Sequence, residues 1–376
     1  MSETRAHVVV AGAGVAGLEA VIALHEQLGR RARITVIDPA RQFVYTPMTV
    51  GEPFAMGPAR RISLAEFAKT FDCTWIHESV EEVVPALKRV VMSDGEEIGY
   101  DRLILARGAE RVPAYSHATT FRGAADVVPV QGLIRDIEDG YTRSVGFVVP
   151  PGIAWSLPIY ELALMTAERA YSMNVPVELT LVTPEAQALP VFGPAASADV
   201  QRLLDDAGIA VHWGVTAEIP AKGTIKLHPG GGQLLVDRVV ALPQIRGRHL
   251  DGVPADADGF IPVDDFARVP KTDGIYAAGD GANFPVKQGG IACQQADVAV
   301  SHIARELGVP VKVKPLRPVL RAQLLTGRRP HFMRRDLRAH DSQAAASSSD
   351  MLWSPPSKVA GMYLAPYLEQ SCSATI

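Results

Sequence analysis

The run Val8-Val9-Val10-Ala11-Gly12-Ala13-Gly14-Val15-Ala16-Gly17-Leu18-Glu19-Ala20 constrains this chain more than any other stretch. An apolar segment enters three glycines spaced G-x-G-x-x-G and leaves through helix formers, so the context is strand, tight turn, helix. Gly12 allows the turn, Gly14 lets backbone approach a ligand with no Cβ in the way, and Gly17 lets the helix pack close to the strand. The helix start offers free N–H groups and the positive end of a dipole, which suit a pyrophosphate. A second strand, Ile34-Thr35-Val36-Ile37, ends at Asp38, at about the distance where a carboxylate meets a ribose hydroxyl. The opening segment therefore reads as a dinucleotide site that takes in Ala13, Val15 and Ala16 with the three glycines and Asp38.

Length and charge bound the rest. A chain of 376 residues carries two or three domains, and a net charge of −4 gives no global reason to bind nucleic acid or an anionic membrane. The first seven residues lack the apolar core of a signal peptide, and no uninterrupted apolar stretch approaches the roughly 20 residues that span a bilayer. The expectation is a cytoplasmic protein, with peripheral membrane contact left open. The three cysteines, Cys73, Cys293 and Cys372, are far apart and form no C-x-x-C pair, so neither a local redox disulfide nor a metal site is expected.

Along the chain, Arg5 to about Pro113 alternates strand and helix. The polar, proline-broken stretch Asp38 to Arg61 reads as loop, Ser63 to Phe71 as a short helix capped by Ser63, and Ser79 to Tyr100 as a small antiparallel meander. Asp101 to Gly108 is a buried strand running into a glycine turn. A second α/β unit follows, with strands Val145–Val149, Val177–Val182 and Ile209–Trp213. Its helices are Leu157–Tyr171 and Ala195–Ala207. A hairpin turns at Gly230-Gly231-Gly232, and a buried strand returns at Asp237–Leu242. Gly274 to Asp280 is again a strand, ending in Gly-Asp, before a helix Gly290–Glu306. The fold class is α/β. Two Rossmann-like dinucleotide-binding domains of the three-layer ββα type are expected, the second (116–242) inserted in the first (1–115 and 243–310). A C-terminal capping or interface region (311–376) follows.

In order and spacing, the turn at Gly12, the strand Tyr100-Asp101 through Ala106-Arg107-Gly108-Ala109, and Ala277-Ala278-Gly279-Asp280 resemble the FAD-dependent pyridine nucleotide-disulfide oxidoreductase superfamily, which includes disulfide and ferredoxin reductases. Phe43-Val44-Tyr45-Thr46-Pro47 and Pro285-Val286-Lys287-Gln288-Gly289-Gly290 are similar to the branch of sulfide:quinone oxidoreductases and type II NADH dehydrogenases. The resemblance implies bound FAD. Gly279-Asp280 would then face the ribityl chain or a phosphate, Pro47 the ring, and Val80 the adenine through its backbone. Ala106, Arg107, Gly108, Gln288 and Gly289 join the cofactor site. The helix after Gly279-Asp280 would aim its N-terminus at the pyrimidine end of the ring, where a positive dipole end favours the anionic reduced flavin, and Lys287 would add to that charge.

Two departures qualify the resemblance. Where nicotinamide-using members carry a second G-x-G-x-x-G, this chain reads Val148-Val149-Pro150-Pro151-Gly152-Ile153-Ala154-Trp155-Ser156-Leu157-Pro158, and the following strand ends at Thr183-Pro184 without an acid in the ribose place. The sulfur-handling cysteine pair of the branch is missing, and Cys293 reads as a packed thiol. Gln294 or Gln295 would bond a carbonyl of flavin or quinone, and Glu52 would relay a proton if its pKa rose beside the ring.

The tail is arginine-rich from Arg328 to Arg338, then low in complexity from Gln343 to Ser349, which reads as a flexible loop. Trp353, Tyr363 and Tyr367 suit either a membrane interface or packing over the active site or against a second subunit, as in a homodimer. The expected function is two-electron transfer through FAD from an unidentified donor to a quinone-like or protein acceptor. Two alternatives stand beside it: an NAD(P)H-dependent flavin or quinone reductase with an altered nicotinamide site, and a flavin-holding, partner-binding protein without turnover.

Overall fold

The computed structural model describes residues 5–339 and 345–373. The side chain of Cys372 and the residues Gln343 and Ala344 lie outside what is described. Seven helices run along the described chain: α1 Val15–Leu28, α2 Leu64–Thr70, α3 Val127–Glu138, α4 Leu157–Ser172, α5 Pro194–Asp206, α6 Gly289–Glu306 and α7 Leu364–Ser373.

Two five-stranded parallel sheets organise the molecule. The first has the order 275–277, 102–105, 6–11, 32–37, 74–76. The second has the order 119–120, 238–241, 144–148, 178–182, 210–212. Helices cover one face of each and a three-stranded antiparallel meander the other, 80–99 on the first sheet and 216–235 on the second. Coverage on both faces explains why strands such as Val8-Val9-Val10-Ala11 read as unbroken apolar runs. An antiparallel ribbon of Ala109–Pro113 with Pro243–Gly247 joins the two halves at their crossing connections. The fold is that of two dinucleotide-binding domains, as the sequence implied.

The opening turn is tight for a steric reason. Gly12 has φ +105°, and a Cβ there would lie 2.3 Å from the Ala106 carbonyl oxygen; a Cβ on Gly17 would lie 1.9 Å from the Gly12 oxygen. Strand, turn and helix pack this closely only because both positions are glycine.

Two stretches differ from the sequence reading. Asp38 to Arg61 is not a plain loop: Gln42–Val44 pairs with Arg61–Ser63, and Thr46–Phe54 forms a 3₁₀ segment. Pro47 opens that segment, and Phe43 and Val50 are buried, so tertiary burial organises residues whose polar neighbours suggested exposure. Nor is the described part of the low-complexity stretch a flexible loop. Ala345–Ser348 is the third strand of a sheet with Val319–Leu324 and His331–Asp336. Its ladder and the bonds of Ser347 Oγ to His331 Nε2 (2.7 Å) and Asp199 Oδ2 (2.5 Å) fix it where composition gives no signal.

The C-terminal region bridges both halves. Leu320, Ala322, Leu324 and Met333 pack with α4 and α5 in the core of the second half, whereas Val359, Leu364 and Leu368 pack with α1 and α6 in the first. The tail aromatics fold back on the body. Tyr367 meets Phe67 and Phe71 edge-on, Trp353 meets Phe332, and Tyr363 accepts from Gln27. The arginine run is partly engaged as well: Arg328 pairs with Glu168, Arg338 with Asp265, and Arg335 donates to the Val191 carbonyl. Among the described residues no helix is long and apolar enough to cross a membrane.

Candidate active site

A cavity of about 310 Å³ lies where the start of α1, the Gly279-Asp280 corner and the start of α6 converge. Gly14, Val15 and Ala16 form one wall, Gly279 and Asp280 with Lys287, Gln288 and Gly289 another, and Pro47, Ala106 and Gly108 complete it. Eleven of the residues singled out in the sequence are thus brought together, from segments more than 200 positions apart.

The start of α1 is built for an anion. Its cap, Gly14, offers no side-chain partner to the first-turn N–H groups, and a Cβ on Gly14 would meet nothing within 4 Å. Nothing of the protein crowds the place where free donors and dipole point. The start of α6 is instead capped by Gln288, whose Oε1 accepts from Ile291 N at 3.0 Å while its Nε2 donates to the Arg321 carbonyl. Gly279 N donates to Gln295 Oε1 at 2.8 Å, which ties the Gly-Asp corner to α6.

Lys287 is buried in the cavity wall. Its Nζ donates to the Ala282 carbonyl at 2.5 Å and lies 3.7 Å from the centre of the Phe260 ring. Burial brings its pKa down to about 8, against the opposing pull of Asp280 and Asp256. Asp280 itself faces Arg111 Nη2 at 3.6 Å.

Other expected residues sit elsewhere. Glu52 is not on the cavity wall. Its Oε1 accepts from Ala59 N at 2.6 Å and lies 3.4 Å from Arg61, so the carboxylate is spent on its own loop. Gln294 is likewise turned away: its amide pairs with the backbone of Val319, donating to one group and accepting from the other, and donates to the Gly290 carbonyl. Val80 pairs with Met92 inside the meander core. Arg107 is off the wall, with Nη1 buried and without a partner among the described residues. Asp38 spends Oδ2 on Ala13 N (2.6 Å) and Oδ1 on Ala40 N (2.7 Å), bracing the turn from behind. Gly12, Ala13 and Gly17 form that turn without lining the cavity. Cys293 is fully buried, and burial pushes its thiol well up, with Glu19 and Asp297 adding to the shift.

The remaining wall was not legible in the sequence. Lys358, from the tail, contacts Glu161 Oε1 and Oε2 at 2.6 and 2.7 Å; their side chains are 6% and 0% exposed. Leu325 N also donates to Glu161 Oε1. Burial pushes Glu161 up and Lys358 down, each against the pull of its partner, and the pair as a unit is neutral. Both line the cavity beside Val359, Ile153, Trp155 and Leu157. Glu161 is the fifth residue after the cap of α4, and Glu19 is the fifth after the cap of α1. Glu19, also fully buried, accepts from Tyr363 N and Leu364 N at the start of α7. A glutamate at the same turn of both helices was the available signal for this arrangement.

Comparison with known proteins agrees with this geometry. The family model for pyridine nucleotide-disulphide oxidoreductases matches residues 6–136 and 160–302. The ferredoxin–NAD(+) reductase component of a p-cumate 2,3-dioxygenase system from Pseudomonas putida is 26% identical over 300 residues, 76% of this chain and 70% of that protein. The structure of the sulfide:quinone oxidoreductase from Aquifex aeolicus superposes with a TM-score of 0.84 at 20% identity, covering 91% of this chain and 86% of the other. NDH2 from Plasmodium falciparum, in complex with NADH, gives a TM-score of 0.69 at 12% identity, covering 88% and 90%. The cradle of glycine turn, Gly-Asp corner and paired helix starts, together with a family match over most of the chain, makes this protein a member of the pyridine nucleotide-disulphide oxidoreductases, an oxidoreductase family of flavoproteins.

Proposed function

We propose that the chain holds FAD in this cavity and passes two electrons through it, from a donor yet to be identified to a quinone-like or protein acceptor. The observation that carries the reading is the uncrowded start of α1, which faces a cavity shared with the Gly279-Asp280 corner and the start of α6. A pyrophosphate fits the first-turn N–H groups of α1, and a ring fits the stretch between Pro47 and the residues 287–289. When bound, FAD supplies the capacity to take up and release electrons singly or in pairs.

The chain's own residues do the rest. Lys287 Nζ, held by Ala282 and Phe260, presents a positive charge to the cavity below about pH 8 and a neutral amine above it. Lys358 and Glu161 hold one proton between them across their contact and so set a neutral, ordered unit on the cavity wall. Val359, Trp155 and Ile153 exclude water from that wall. The relatives are named for ferredoxin–NAD(+) and sulfide:quinone chemistry, which supports an oxidoreductase and leaves donor and acceptor to experiment.

The test is an absorption spectrum of the purified protein, followed by anaerobic reduction with a panel of donors. Flavin bands that bleach with one donor and return with a quinone or an oxidised ferredoxin support the reading. A preparation that remains colourless after incubation with excess FAD overturns it.

A further inference from the structure

Each parallel sheet delivers an acid toward the helix that follows its first central strand, and the two halves use that acid differently. In the first half, Asp38 follows Ile37 directly and braces the turn through Ala13 N, leaving the start of α1 open. In the second half the strand Glu178–Val182 continues through Thr183 and Pro184 to Glu185. The sequence reading took this place to lack an acid. In the structure Glu185 folds back onto the start of α4: its Oε2 accepts from Tyr160 Oη (2.6 Å) and Thr183 Oγ1 (3.1 Å), and its Oε1 from Ser156 Oγ (2.9 Å).

The position of that carboxylate is informative. Ser156 is the cap of α4, the counterpart of Gly14 in α1, and Tyr160 is a fully buried residue of the first turn. The glutamate therefore lies at the positive end of α4, the kind of place an anion takes in a dinucleotide fold. Burial pushes its pKa up, while the three hydroxyls hold it back down. Two neighbours work in the same direction. Pro158, in the first turn, has no N–H to offer a phosphate. Trp155 stands against Phe192, ring centres 6.0 Å apart, where a glycine turn would leave space. The family match breaks off at 136 and resumes at 160, omitting this turn.

We propose that Glu185 fills, from within the chain, the place at the start of α4 where a second dinucleotide would set its pyrophosphate, and so makes this protein refuse nicotinamide dinucleotides. The inference rests on the reading of a flavin-linked oxidoreductase and narrows its donor to a molecule that anchors no pyrophosphate on the second half. Such a donor approaches along the apolar wall of Ile153, Trp155, Leu242 and Ile245.

The test is a calorimetric titration of ADP-ribose into wild type and Glu185→Ala, each with excess FAD so that the first site is filled, with a thermal melt of both. Removing a carboxylate from contact distance of an incoming phosphate should tighten ADP-ribose binding at least about tenfold, ~1.4 kcal/mol, over a wild type that shows no saturable binding in the millimolar range. Micromolar binding of ADP-ribose by the wild type overturns the proposal, and so does an unchanged affinity in a cooperatively melting variant. Glu185→Gln, which removes the charge at nearly constant shape, carries the same expectation should the alanine variant not fold. Flavin retention is read separately from its absorbance, so failure of the cofactor reading is not mistaken for failure of this one.

Discussion

Lys358→Met removes one partner of the Glu161–Lys358 contact at nearly constant side-chain length. Glu161 is fully buried, and its remaining donor is Leu325 N. Taking away one member of a buried pair strands the other, which costs about 3–5 kcal/mol. The loss has a pH signature. Lys358 is the largest force holding the Glu161 pKa down against burial, so in the variant that pKa rises further above its unfolded value. A carboxyl with a raised folded-state pKa binds more protons when folded, so the variant regains stability as pH falls toward that of the unfolded group. Glu161→Gln/Lys358→Met should recover most of the loss, because the amide oxygen still accepts from Leu325 N and no charge is left buried. Urea denaturation of the wild type, both single variants and the double variant, at neutral and mildly acidic pH, closes the cycle with a coupling energy of at least about 2 kcal/mol. A Lys358→Met protein within about 1 kcal/mol of wild type at neutral pH, or a coupling near zero, would refute the argument that this pair is shielded from water.

Other residues give sharper or simpler tests. Lys287 should cost the fold about 3 kcal/mol when charged, since its pKa falls from the usual lysine value of 10.5 to about 8. The cost is present in full below about pH 8 and fades as pH rises toward 10.5. Lys287→Met should therefore exceed wild type in stability most at neutral pH, with a gap that closes in alkaline denaturation curves. Asp297 is pushed up to about 9, chiefly by burial and then by Glu19, so it is protonated at neutral pH. Asp297→Asn mimics that form and should match wild type only below about pH 4, where wild type keeps the proton both folded and unfolded, then gain on it steadily as pH rises toward 9, read by thermal melts. Gly12→Ala combines a strained positive φ with a 2.3 Å clash against the Ala106 oxygen. It should cost about 3 kcal/mol or more and lower FAD retention after gel filtration.

Legibility of this fold in the sequence followed the range of the forces involved. The glycine turn, the central strands of both parallel sheets and the helices α1, α4, α5 and α6 are written locally, because strands buried on both faces must be apolar and Gly12 and Gly17 serve a turn a few residues long. The short edge strands Thr74–Ile76 and Thr119–Thr120 and the helix α3 escaped the sequence reading. On the cavity wall Gly14–Ala16 could be read locally as well, whereas Gly279-Asp280 and Lys287–Gly289 were expected there through the family resemblance. What escaped depends on partners far along the chain. Lys358 meets a glutamate 197 positions earlier, and nothing in the tail's composition distinguishes it from a solvated lysine. The strand Ala345–Ser348 draws its order from the ladder beside it. Glu52 and Gln294 had suitable chemistry in suitable segments, but nearer donors and acceptors, Ala59 and Val319, claim them.

The two halves of this protein share one backbone frame and spend it in opposite ways. After each first central strand a turn leads into a helix, capped by Gly14 in one half and Ser156 in the other, and each helix carries a buried glutamate at its fifth residue. In both halves that glutamate grips the C-terminal region: Glu19 through the start of α7, Glu161 through Lys358. The two grips are only five or six residues apart in the tail, so Lys358 and Val359 are held on the cavity wall by anchors in both halves at once. Only the helix starts diverge. At Gly14 the start of the helix is left open; at Ser156 the Glu185 carboxylate takes the hydroxyls of Ser156 and Tyr160, and Pro158 removes one N–H of the first turn. A pair of dinucleotide folds in which one start is open and the other filled keeps the second half as scaffold for the cavity wall and the tail. On this reasoning, specificity for the electron donor lies in that wall.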